Sequence, residues 1–269
     1  MTRALAPSRR RVGAADGNGT ASTSRGNAGY PWDDFDPDWY ARHNYATLGA
    51  DDRRILQIVR DFFASTLTGR SVKQGIDVGS GANLYPALSM LPFCERITLW
   101  ERSAANVKWL KEQIEADYSE SWDRFWNVLV TRPRYRAVEN PREALREKAW
   151  VRNGDLFKLP PRQWDLGTMF FVAESISDRK NEFRDATQRF VGSLRVGAPF
   201  AAAFMENSSG YDVGSLRFPA VAVRTADVES CLSLLAHDVR TVPVARLKDR
   251  RDGYDGMILA LGKAGRAKS

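Results

Sequence analysis

The run Lys73-Gln74-Gly75-Ile76-Asp77-Val78-Gly79-Ser80-Gly81-Ala82-Asn83-Leu84-Tyr85 combines an apolar strand pattern with a carboxylate and two closely spaced glycines. Glycine accepts positive φ and carries no Cβ, so Gly79 and Gly81 let a ligand lie against the backbone where strand turns to helix. A dinucleotide-binding turn needs a third glycine, and that position here is Leu84. Pyrophosphate is therefore disfavoured, and Asp77 would repel it further. The carboxylate can instead order the turn's amides or attract a cationic ligand through water. No Gly-Lys-Ser/Thr follows, which excludes a Walker loop. Taken alone, such a turn also fits any other α/β protein.

Three further segments lead to the same crevice. Arg96-Ile97-Thr98-Leu99-Trp100-Glu101 reads as a second strand whose terminal acid lies 20 residues past Gly81. That is the offset at which a carboxylate reaches ribose hydroxyls, and it can accept from both at once. In the third strand-like run, Trp150 to Phe157, Asp155 can accept from an adenine amino group while Leu156 packs on the ring. Trp164 to Val172 is continuously apolar, as a parallel strand buried on both faces should be. Its end, through Glu174, points to the ligand crevice.

Upstream, Phe35-Asp36-Pro37-Asp38-Trp39-Tyr40-Ala41-Arg42-His43-Asn44-Tyr45 matches at every position the signature Phe-x-Pro-x-x-Tyr-x-x-x-x-Tyr. With the loop Ile76 to Tyr85, and Glu101 followed five residues on by Asn106, the chain resembles a family of small-molecule N-methyltransferases. They act on nicotinamide, phenylethanolamine, indolethylamine and thioethers, and use S-adenosylmethionine (SAM). The resemblance spans residues 31 to 264 and includes the insertion around Ser121 to Leu129. It implies that Tyr40 and Tyr45 close over the cofactor, and that Asn83 replaces a threonine facing the methionine carboxylate. The implied cofactor set is Tyr40, Tyr45, Asp77, Gly79, Ser80, Gly81, Asn83, Tyr85, Glu101, Arg102, Asn106, Asp155, Leu156 and Phe170. It also implies a Rossmann-like α/β fold: a seven-stranded, mostly parallel sheet with an antiparallel C-terminal pair, helices on both faces and an N-terminal helical lid.

The acceptor does not carry over, because Phe170 to Ser175 and Glu206 to Tyr211 depart from the family where substrate should bind. Transfer from a sulfonium is an in-line displacement, so the enzyme mainly holds donor and acceptor at attack distance and excludes water. A neutral amine or ring nitrogen needs no base. A hydroxyl acceptor would need one, and the two histidines, His43 and His237, read as a helix-surface residue and a helix-terminal one. The expected carboxylates at the acceptor are Glu206 and Glu174, as orienting groups or a general base. The reading is thus a SAM-dependent N-methyltransferase; an O-methyltransferase and a non-catalytic SAM-binding module are the alternatives.

These residues need elements to position them. Periodicity predicts helices over 48–67, 104–116, 182–194 and 226–236, a fifth strand over 197–206, and final strands over 241–247 and 256–261 joined through Asp249 to Gly253. Trp122 and Phe125 fit either a local core or an acceptor wall. Residues 1–29 read as a disordered basic tail, in which five arginines and one aspartate carry +4 of the formal +7. Residues 30–269 form the methyltransferase domain, with the lid and its helix over 30–70 and a helical insertion over 110–149. Nothing in that body interleaves aromatics with a basic stripe, so nucleic acid is not an expected partner. Cys94 and Cys231 suggest neither a disulfide framework nor a metal. No apolar run spans a bilayer and no secretory signal is present. A cytoplasmic monomer is expected, with a small-molecule acceptor as partner.

Overall fold

A computed structural model describes residues 25–245 and 253–265. Helix α1 (Pro37–Tyr45) begins on Asp36, whose carboxylate accepts from Trp39 N–H at 2.8 Å, and puts Pro37 where no N–H is needed. Helix α2 (Ala50–Thr66) buries Ile55, Leu56, Ile58, Val59 and Phe63 along one stripe. Then follow β1 (Val72–Val78), α3 (Tyr85–Met90), β2 (Cys94–Glu101) and α4 (Ala104–Glu115). The insertion is helical as expected, with α5 (Asp123–Leu129), α6 (Pro133–Arg136) and α7 (Pro141–Lys148) before β3 (Ala149–Asn153). The rest is β4 (Leu166–Phe170), α8 (Lys180–Ser193), β5 (Pro199–Glu206), β6 (Tyr211–Val213), β7 (Leu216–Phe218), α9 (Thr225–Leu232), β8 (Ala236–Ala245) and β9 (Gly256–Ala264).

Seven strands form one sheet in the order β3-β2-β1-β4-β5-β9-β8. The first five are parallel, and β9 runs antiparallel between β5 and β8. The strand order reverses between β1 and β4, so a crevice opens at their carboxyl ends. Ile97, Leu99, Leu166 and Leu259 pack with α2 to α5 on one face. Ile76, Val78, Met169 and Ile258 pack with α8 and α9 on the other. Trp122 and Phe125 are both buried in the first layer, with Phe125 stacked on Tyr85 at 5.4 Å, so they are core.

Several expectations change. Helix α9 ends at Leu232 and β8 begins at Ala236, because pairing of Ala236–Ala245 with β9 overrides the helical periodicity. His237 is therefore a strand residue, its Nδ1 at 2.8 Å from the Gly265 carbonyl oxygen, and does not end a helix. The connection expected through Asp249 to Asp252 lies outside the described residues. The hairpin β6–β7, too short to show periodicity, packs Val213 and Phe218 against Phe35, Trp39 and Tyr40. Residues 1–24 of the expected tail lie outside the described residues, but Asn27–Gly29 form a 3-10 turn and Asn27 is buried. On the outer strand, Trp150 is stacked by Arg152 at 3.6 Å and approached by Arg96 at 5.2 Å, a local aromatic–basic contact that the linear pattern does not reveal.

Asp77, near the end of β1, and Glu174, after β4, are two of the buried carboxyls. Asp77 on β1 accepts from Thr168 Oγ1 at 2.7 Å, and Glu174 follows β4. Burial raises each to about 7; for Asp77, hydrogen bonds from Thr168 and Ser80 oppose the rise and the charge of Glu101 adds to it. Unfolded Asp and Glu titrate near about 4. Between about pH 4 and 7 the folded chain thus keeps protons that the unfolded chain has released, so these groups lower stability as pH rises through that window. The double variant Asp77→Asn, Glu174→Gln should flatten this part of the curve of melting temperature against pH, and an unchanged slope in thermal melts would contradict it.

Candidate active site

The turn after β1 is built as its glycines require. Gly79 and Gly81 have φ of 66° and 53°, and a Cβ on Gly79 would come within 2.6 Å of Val172. Gly79 N–H donates to the Trp100 carbonyl at 2.7 Å, which fastens the turn to the end of β2. Glu101 then joins two elements: Oε2 accepts from Gly81 N–H and Oε1 from Ser103 N–H, each at 2.8 Å. Burial raises its pKa, while the Ser103 and Gly81 amides and the Asn106 side chain act in the opposite direction. Ser103 caps α4, its Oγ accepting from Asn106 N–H at 3.2 Å.

These groups line a cavity with about 810 Å³ of empty space, its mouth included. Asn106 Oδ1 is buried with no hydrogen-bond partner, an acceptor awaiting a ligand donor. Asp155 and Leu156 face the cavity after β3, the Asp155 carboxylate capping a short turn through Phe157 N–H at 3.0 Å. Phe170 and Phe171 form another wall. Phe171 has φ of 60°, a strained conformation for an aromatic residue, held by its N–H to the Ala203 carbonyl at 2.7 Å.

The lid is tied down from several sides. Trp109 Nε1 donates to Asp38 at 3.0 Å, Ala104 N–H to Asp33 at 2.7 Å and Arg124 to the Ala46 carbonyl at 2.6 Å. Tyr40 and Tyr45 reach the cavity with ring centroids 6.0 Å apart. Beyond them lies a second cavity, with about 1160 Å³ of empty space. The two share Tyr40, Phe171, Ser175 and Tyr211, so these residues mark their junction. Trp39, His43, Asn44, Met205 and Tyr254 line the second one, with an Asp212–Arg217 ion pair at 3.2 Å. Among the described residues, no group of three or more His, Cys, Asp or Glu is placed to hold a metal, and no helix is long and apolar enough to cross a membrane.

Of the expected cofactor residues, Tyr40, Tyr45, Gly79, Ser80, Gly81, Asn83, Glu101, Arg102, Asn106, Asp155, Leu156 and Phe170 meet at the first cavity. Asp77 and Tyr85 do not line it. Asp77 lies beneath the turn, and the Tyr85 hydroxyl donates to buried Asp52 at 3.1 Å, so both are supports. Glu206 lines neither cavity, because β5 runs on through pairing with Gly256 and a bridge to Val223. Glu174 lies just behind the junction: Oε1 accepts from Met205 N–H at 2.8 Å and Ser175 Oγ at 3.2 Å, and buried Oε2 has no partner. Missed in the sequence were Asn27, Trp32, Trp100 and Ile176. The first two precede the Phe-x-Pro signature and lie in no periodic element.

The chemistry of these groups suits SAM: a buried carboxylate beside the turn, an Asn106 oxygen without a partner, and glycines that admit a ligand to the backbone. Glu101→Ala and Tyr40→Ala should each weaken calorimetric binding of S-adenosylhomocysteine (SAH) by at least about tenfold, since each removes a polar or aromatic partner of a buried ligand. Wild-type affinity in both would remove the ligand from this cavity.

Comparison with known proteins finds relatives of the chain. The model of the NNMT/PNMT/TEMT family matches residues 29–263. Phenylethanolamine N-methyltransferase of Sus scrofa is 23% identical over 276 residues, covering 92% of this chain and 94% of that protein. Among solved structures, the N-methyltransferase NodS of Bradyrhizobium japonicum WM9 with SAH aligns at a TM-score of 0.48 and 11% identity, over 85% of this chain and 99% of that one. A SAM-dependent methyltransferase of Clostridium acetobutylicum ATCC 824 aligns at 0.49 and 12% identity, over 84% and 96%. The family match extends from Gly29, before α1, to the penultimate residue of β9, and with it the chain belongs to the NNMT/PNMT/TEMT family as a SAM-dependent methyltransferase.

Proposed function

We propose that the chain methylates a small amine or ring nitrogen bound in the second cavity. The observation that supports this reading is the junction at Tyr40, Phe171, Ser175 and Tyr211, where the aromatic-walled second cavity adjoins the first. SAM supplies an electrophilic methyl group when bound. The chain's own residues do the rest. Glu101 and Asn106 hold the donor, Tyr40 and Tyr45 exclude water, and the aromatic walls align a flat acceptor for in-line attack. Relatedness to a phenylethanolamine N-methyltransferase supports an amine acceptor.

Glu174 is the carboxyl proposed to orient a cationic or hydrogen-bonding acceptor, acting through its contacts with Ser175 and Met205 and its unfilled Oε2. Its pKa, raised by burial to about 7, lets it change charge near neutral pH. Neither carboxyl lines a cavity, but Glu174 bonds the junction residue Ser175 and the second cavity's Met205, whereas Glu206 has no such part. Glu174→Gln should lower kcat/KM by about tenfold or more, as loss of a charged hydrogen-bonding partner does. Glu206→Gln should stay within about twofold, as a substitution away from the site does. The reverse ranking in steady-state assays would overturn the assignment.

O-methylation has one observation in its favour, since His43 lines the second cavity, although its ring lies stacked on Trp39 at 4.6 Å. The pH dependence separates the two. With a nitrogen acceptor, kcat/KM should rise through a pKa that follows the acceptor's own as aromatic and aliphatic amines are exchanged, because only the neutral amine attacks. With a hydroxyl acceptor the pH dependence would not follow the acceptor, and His43→Ala would abolish turnover.

A further inference from the structure

The segment Arg25–Asp34 crosses the mouth of the cofactor cavity as a roof, and its fastening is unusual for chain outside any long helix or strand. Asp178 accepts from Arg25 N–H at 3.2 Å, Gly26 N–H at 3.1 Å and the Tyr30 hydroxyl at 3.4 Å. Glu182 accepts from Asn27 N–H at 2.7 Å. From the other side, the Asn27 carbonyl accepts from Trp32 Nε1 at 2.8 Å and Arg102 at 3.5 Å. Gly26 makes the bend with φ of 64°, and a Cβ there would lie 2.5 Å from Glu182 Oε1, so the strap fits closely on its anchors.

All of this holds one residue at the cavity. Asn27 is only 7% exposed and it lines the cofactor space. Its amide is not among the fully enclosed side-chain groups, and Asn27 borders the cavity, so a ligand there can reach it. Arg102, bonded to the Asn27 carbonyl, adjoins Glu101, the residue placed for the ribose, so Asn27 stands at the adenosine end. We propose that Asn27 is a direct ligand of the adenosine half of the cofactor, and that Asp178 and Glu182 are positioning residues that hold it there through the backbone of residues 25–27.

The test uses the full chain and two probes, SAH and 5′-methylthioadenosine, which lacks the amino-acid end. Asn27→Ala should weaken both by a similar factor of about tenfold, the scale of a lost buried hydrogen bond, with the unliganded melting temperature unchanged. Asp178→Ala should speed SAH dissociation in stopped-flow fluorescence by a comparable factor, and Asp178→Asn, which keeps an acceptor, should restore part of it. Wild-type affinity for both probes in Asn27→Ala overturns the proposal, as does a loss confined to SAH, which would place the contact at the amino-acid end. An unchanged dissociation rate in Asp178→Ala removes the positioning role. Failure of the unmodified chain to bind SAH would sink the cofactor site as a whole, and so differs from failure of Asn27 alone.

Discussion

The site depends on one carboxylate. Glu101 ends β2, yet its two oxygens take N–H groups from the Gly79–Gly81 turn and from the start of α4, each at 2.8 Å. The turn after β1, the end of β2 and the start of α4 are thereby held at one point. Moving a carboxylate out of water is costly unless such donors replace the lost hydration. The remaining lone pairs are then left for ligand hydroxyls, and the same group that organises the empty turn can receive the ribose.

Around this point the protein uses its N-terminal segment as a wall. Helix α1 is fixed to α4 through Asp38 and Trp109, and the strap before it to α8 through Asp178 and Glu182. The hairpin β6–β7 backs the strap with Phe218, 5.1 Å from Trp32 between ring centroids. The second cavity is therefore bounded by parts that come from distant points in the chain: α1, the end of β5 and the β6–β7 hairpin.

Much of the cofactor end was legible in the sequence because its signals are local. Gly79 and Gly81 report a backbone that must take positive φ, and the spacing of Glu101 reports its place beside the turn. Buried strands and amphipathic helices such as α2 announce themselves through period. Other features depend on contacts that no short window contains. Tyr85 looks like a ligand by its position in the motif, but the buried Asp52, 33 residues earlier, claims its hydroxyl. Glu206 looks like a crevice acid until pairing with β9 and the bridge to Val223 carry β5 past the crevice. The boundary between α9 and β8 was misjudged because Ala and Leu suit either state and the partner strand decides. Asn27 carried no signal, since its importance arises only from the cavity it faces.

The most direct test of the account is a crystal structure of the full chain with SAH. The account predicts the ribose hydroxyls on Glu101, the Gly81 and Ser103 N–H groups still bonded to the same carboxylate, and the Asn106 side-chain oxygen taking a ligand donor. A ligand bound elsewhere, or a Glu101 that must release either backbone amide to reach the ribose, would contradict the claim that one carboxylate both builds the turn and receives the cofactor.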